Sequence, residues 1–212
     1  MGLTEPTVHI VDDDASFLTA ASRLLRASGF AVRTFSSAHE FLTQYDPDTP
    51  GCVVVDLQMP GMDGLNLQAA IAQSRNPLPI LFLTGHADIP SSVRAMRGGA
   101  EDFLEKRAPK EKLLDAVKRA LARDARERGE HARRRELHAR FDALSKRELE
   151  VLAHVVQGRL NKQIASDLGI HERTVKLHRT AITTKLGVQS VAELTRLTDD
   201  AGIFKASTPT FP

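Results

Sequence analysis

The chain has a single cysteine, Cys52, so it can form no internal disulfide and no cysteine-based zinc cluster. Long apolar runs are missing as well. The longest, such as Ile80 to Leu83, are strand-length, far short of the ~18 residues that a membrane-spanning helix needs. Met1 to Pro6 has no basic stretch leading into an apolar one, so no secretion signal is expected and a cytoplasmic location is. A large charge excess is also lacking, the formal net charge being only +2, yet the two signs are segregated along the chain. Residues 1–117 hold 10 Lys and Arg against 15 Asp and Glu, whereas the remainder holds 19 against 12. The C-terminal part is therefore the candidate for a polyanionic partner such as nucleic acid. What remains is ordinary globular composition over 212 residues, enough for two domains that each bury a core.

Over the first ~120 residues short apolar runs alternate with amphipathic stretches, the pattern of βα units around a parallel sheet. Five strands are expected, at Val8 to Val11, Ala31 to Phe35, Cys52 to Asp56, Ile80 to Thr84 and Asp102 to Leu104. Phe17, Ala21, Leu24 and Leu25 share one helical face, as do Leu65, Ala69 and Ala72, and Pro47, Pro60, Pro77 and Pro79 punctuate loops. The fold class is α/β, a doubly wound five-stranded parallel sheet, over residues 1–121. A last helix from about Pro109 carries Leu113, Leu114, Val117 and Leu121, and its stripe gives way to the charged run Arg126 to Arg135. Residues 122–143 read as a solvated helical linker without the apolar seam of a coiled coil. Residues 144–204 then divide into four helices with clear punctuation, an all-α helix-turn-helix unit, and 205–212 form a tail. Ser145 and Glu148 make a capping box, and Gly158, Gly169 and Gly187 end successive helices.

In an open parallel sheet, ligand chemistry gathers beyond the carboxyl ends of the strands. Asp12, Asp13 and Asp14 follow the first strand, Asp56 ends the third, Thr84 ends the fourth and Lys106 follows the fifth. Carboxylates brought together there repel, so the cluster calls for a cation, and an all-oxygen site with few protein ligands suits Mg²⁺. Asp56 would be a nucleophile toward a phosphoryl group that Lys106 neutralises and the Thr84 hydroxyl steadies. Two other readings stay open on these residues: Asp12 to Asp14 as helix caps, and Asp12, Asp14 and Ser16 as a loose match to the nucleophile motif of haloacid-dehalogenase-type phosphatases.

The stretches VHIVDDD, VVVDLQMPGMDG, LFLTGH and DFLEK together resemble the response-regulator receiver family, of the FixJ type, over residues ~7 to 121. The resemblance implies a flavodoxin-like receiver with Asp56 as phospho-acceptor. It implies Mg²⁺ held by Asp12, Asp13, Asp56 and the Gln58 backbone carbonyl, and Phe103 changing rotamer with Thr84. It also implies a sensor histidine kinase as partner and one acyl phosphate per chain, with no multiple-turnover enzyme activity. The face at Ile89 to Gly98, Phe103, Leu104 and the following helix would make a homodimer on phosphorylation. One departure stands out, since the family usually has proline after the lysine and this chain has Arg107. A trans bond and a rearranged loop are expected there, with Lys106 less firmly aimed.

The segment from Ser145 to Leu194 resembles the LuxR/NarL-type helix-turn-helix, whose third helix enters the major groove of promoter DNA, with RNA polymerase as a candidate further contact. Helical spacing turns Val175, Ile182 and Leu186 inward and Lys176, Leu177 and Thr180 outward, which makes the latter three candidates for base edges. Asn161, Lys162, Arg173, Thr174, Arg179 and Lys185 are candidates for phosphates. A further reading keeps this architecture and makes the first domain a phosphorylation-independent interaction module.

Overall fold

A computed structural model describes residues 5–85 and 88–204. The tail 205–212 and His86 of the LFLTGH stretch lie outside them. The chain forms two compact units, one ending at Gly129 and the other beginning at Glu130.

In the first unit the strands are β1 (Thr7–Val11), β2 (Ala31–Phe35), β3 (Gly51–Val55), β4 (Ile80–Thr84) and β5 (Asp102–Glu105). The helices are α1 (Ala15–Ala27), α2 (Ala38–Gln44), α3 (Gly64–Ala72), α4 (Ile89–Arg97) and the start of α5 (Lys110–Asp142). The sheet is parallel throughout, in the order β2-β1-β3-β4-β5. β3 and β4 are buried along their whole length, as strands covered on both faces must be. Side-chain alternation then sorts them into two cores. Val53, Val55 and Phe82 meet Phe41 of α2, Leu67 and Ile71 of α3 and Ala95 of α4. Cys52, Val54, Leu81 and Leu83 meet Leu25 of α1 and Leu113, Ala116, Val117 and Ala120 of α5.

The first compact unit extends past residue 121 to Gly129. Asp124, 3% exposed, accepts from the Gly51 amide at 2.9 Å and from the Arg128 guanidinium at 2.9 Å. Arg128 also donates to the Pro47 and Thr49 carbonyls, each at 2.9 Å. Two more turns of α5 thus belong to the first unit. Of the expected linker, residues 129–136 are exposed.

The second unit contains the end of α5, then α6 (Lys146–Val156), α7 (Asn161–Leu168), α8 (Glu172–Leu186) and α9 (Val191–Ala201). Its core joins Phe141 and Leu144 to Val151, Leu152, Val155, Ile164, Val175, Ile182, Leu186 and Leu194. The Ser145–Glu148 capping box opens α6 as expected, and Gly169 and Gly187 close α7 and α8 in the left-handed conformation.

Candidate phosphoryl site and nucleic-acid interface

β1 and β3 are neighbours whose crossovers run to opposite faces, so a crevice opens at their carboxyl ends. The ladder carries straight into it: the Asp56 amide donates to the Val11 carbonyl at 2.9 Å, and the Asp12 amide to the Phe35 carbonyl at 3.1 Å. Both carboxylates are buried. Oxygens of Asp12, Asp13 and Asp56 lie within 4.8 Å of one another. Among the described residues Asp56 Oδ1 is buried without a hydrogen-bond partner, as an oxygen waiting for a cation would be. An all-oxygen donor set with one exposed member fits a hard, partly hydrated ion such as Mg²⁺. Gln58 stands two residues beyond Asp56 on the exposed part of the same loop.

Lys106 closes the crevice, its Nζ 2.7 Å from Asp12 Oδ2 and 3.2 Å from Asp56 Oδ2. Burial works against its charge, but Asp12 and Asp56 together outweigh it and hold the ammonium's pKa above the usual lysine value. Burial likewise raises Asp12, with Lys106 opposing the shift. Despite Arg107, Lys106 is aimed at the acidic cluster: its amide continues the β4–β5 ladder to the Thr84 carbonyl at 2.8 Å, and every described peptide bond is trans. Thr84 is buried at the end of β4, and Phe103 stacks on Phe82 with ring centroids 5.9 Å apart.

The three consecutive aspartates have separate tasks. Asp12 lies in the crevice and accepts from the Asp14 amide, Asp13 is exposed beside it, and Asp14 is the N-cap of α1, accepting from the Ser16 and Phe17 amides. The capping reading is correct for Asp14 alone. With its carboxylate so engaged, the phosphatase-like motif lacks its second acid.

In the second unit Val175, Ile182 and Leu186 are buried, and Arg173, Lys176, Leu177 and Thr180 form an exposed face toward the start of α8. Lys176 keeps a loose ion pair with Glu172 at 3.7 Å. Lys162 is exposed at the start of α7, Thr174 is half-buried, and Arg179 donates to Asn161 Oδ1 at 3.1 Å, tying the two helices together. Lys185 stands apart: ~16 Å along the helix from Thr174, it pairs at 2.8 Å with Glu148. The N-cap residues of α1, α2, α3, α4, α6 and α9 accept with their side chains, whereas those of α7 and α8 offer no such acceptor, although Gln163 Oε1 accepts from the Leu160 amide at 2.9 Å. The sequence reading missed this contrast, although Leu160 and His171 at the two cap positions signal it.

A crevice of carboxylates and a lysine at a sheet switch point, with a separate helix-turn-helix unit, defines a signal-receiving regulator. Residues 8–118 match the response regulator receiver domain, and residues 142–198 match the luxR family of bacterial regulatory proteins. The chain belongs to the two-component response regulators with a LuxR-type DNA-binding domain, which are transcriptional regulators. It is 41% identical over 200 residues to nodulation protein W of Bradyrhizobium diazoefficiens, covering 94% of this chain and 88% of that protein. To the transcriptional regulatory protein FixJ of Azorhizobium caulinodans it is 40% identical over 205 residues, covering 96% and 97%. Among solved structures it is similar to the response regulator StyR, with a TM-score of 0.83, 44% identity and coverage of 92% and 98%.

Proposed function

We propose that a sensor histidine kinase phosphorylates this regulator on Asp56 and that the phosphorylated form dimerises through its receiver and binds promoter DNA through α8. The observation that carries the reading is the convergence of Asp12, Asp56 and Lys106 at the switch point, with Asp56 Oδ1 buried and unpartnered among the described residues. An Asp56 oxygen attacks phosphorus and an O–P bond forms as the donor's P–N bond to its histidine breaks, the imidazole, protonated on its other ring nitrogen, leaving as a neutral ring. Asp12, Asp13, Asp56 and the Gln58 carbonyl would hold Mg²⁺, which supplies charge neutralisation for the phosphoryl oxygens. Lys106 supplies a second positive charge, and the Thr84 hydroxyl donates to a phosphoryl oxygen.

On the DNA side, Lys176, Leu177 and Thr180 would meet base edges, with Asn161, Lys162, Arg173, Thr174 and Arg179 on the phosphates. Uncapped amides at the starts of α7 and α8 suit phosphate oxygens, which supports this division. Lys185, balanced by Glu148, would add less than its exposure suggests.

Incubation with acetyl phosphate and Mg²⁺ tests the central step. One acyl phosphate per chain, absent in Asp56→Asn, is expected. Steady release of phosphate would mark a phosphatase instead, and no labelling at all would favour a phosphorylation-independent module.

A further inference from the structure

Among the described residues, three groups lie against the Lys106 ammonium, and two of them are acids. The third is the Phe17 ring, whose centroid lies 4.5 Å from Nζ. Phe17 stands in the first turn of α1, where its amide is fixed by Asp14 Oδ1 at 3.2 Å and its side chain packs on the core beneath the sheet. The face of a phenyl ring carries negative quadrupolar charge and attracts a cation within ~6 Å of its centroid, more strongly where water is thinned out. Lys106 meets that condition, its side chain being 20% exposed. The neighbouring Arg107 gives no such support, since its exposed side chain turns to Glu105. A leucine at position 17 would fill the same half-buried space without attracting the ammonium.

We infer that Phe17 is a positioning residue for Lys106: its ring face holds the ammonium over the crevice, aimed at Asp56. The consequence for phosphoryl transfer rests on the proposed role of Asp56, but the contact itself does not. The full-length protein is made with Phe17→Leu, with Phe17→Tyr, and with mono-, di- and trifluorophenylalanine at position 17. Fluorine drains the ring's negative face with little change of shape, so the series separates electrostatics from packing and remains usable if Phe17→Leu folds poorly. Acyl-phosphate formation from acetyl phosphate with Mg²⁺ should slow about three- to tenfold in Phe17→Leu, recover in Phe17→Tyr, and fall stepwise with fluorination. Independently of phosphorylation, NMR should find the Lys106 side-chain methylene protons shifted upfield by the ring and returned to ordinary values in Phe17→Leu. Labelled wild type with a flat fluorine series, or Lys106 protons with no ring-current shift, would overturn the inference. Shifted Lys106 protons in a protein that takes no phosphate would leave Phe17 in its role and remove that of Asp56.

Discussion

His9 is a titratable group sealed into the receiver core. It is 3% exposed on β1, between the rings of Phe35 and Phe41, and neither ring nitrogen has a hydrogen-bond partner among the described residues. Burial, with Arg33 beside it on β2, lowers its pKa to about 4. The unfolded chain, with histidine near 6.5, binds a proton where the folded one does not, so this contribution is complete above pH ~6.5 and lost as pH falls toward ~4. At pH 5 the loss is about 2 kcal/mol. The chain has no tryptophan and one tyrosine, Tyr45, stacked on Phe41, so tyrosine fluorescence reports this unit alone. Urea unfolding at pH 7 and pH 5 should show the loss in the wild type and largely spare His9→Phe. Equal sensitivity in both proteins would assign the acid effect to other groups. At this scale Asp12, Asp56, Thr84 and Lys106 were legible because strand ends aim their side chains whatever the loops do. Phe17 and His9 were not, since each depends on an element distant in sequence, β5 for one and α2 for the other.

Strand bounds could be read almost residue by residue, because a strand buried on both faces must be apolar along its length, as CVVV and ILFL are. The short α2 has too few turns to show a periodicity, and the extension of α5 was hidden by its charges. Asp124 and Arg128 look like a solvated i, i+4 pair until Gly51, Pro47 and Thr49 are brought against them. Asp124→Ala leaves a buried amide and a mostly buried guanidinium without a carboxylate and should cost about 3 kcal/mol by Tyr45 fluorescence. The more exposed Arg119, paired with Asp102, should cost under ~1 kcal/mol as alanine. Similar costs for the two would mean that the Asp124 contacts do not fasten the helix. On α8 and α7 the expected contrast concerns DNA. Lys176→Ala should lose ~1–3 kcal/mol on the cognate site and relax sequence preference, whereas Lys162→Ala should weaken all sequences alike and lower the salt slope by about 0.9. Binding isotherms on cognate and scrambled duplexes across a salt series decide it, and uniform losses in both variants would remove the division.

The two units have separate cores, and when the chain is divided at Gly129 the first holds 15 Lys and Arg against 17 Asp and Glu while the second holds 14 against 10, the basic excess its proposed DNA partner favours. In the proposed function, dimerisation is the link between phosphate on one and DNA on the other, since two helix-turn-helix modules held together would occupy paired half-sites far better than one. The exposed stretch 129–136 offers no apolar seam for this. The receiver does: Ile89, Val93 and Met96 are exposed at i, i+4 and i+7 along α4, with Ile89 at 79%. Three apolar side chains in a row on one helix face make a patch that a second copy can cover, flanked by exposed Arg94 and Arg97. If phosphate on Asp56 favours the arrangement of this face that pairs, pairing must favour phosphorylation in return. Sedimentation velocity should find monomers before acetyl phosphate and Mg²⁺ and dimers afterwards. Val93→Asp or Arg94→Glu should keep the protein monomeric, and the reciprocity should appear as less acyl phosphate at equilibrium in those same variants. A dimer that persists in Asp56→Asn, or one that survives removal of residues 1–129, would place the association elsewhere and break the proposed link between signal and DNA.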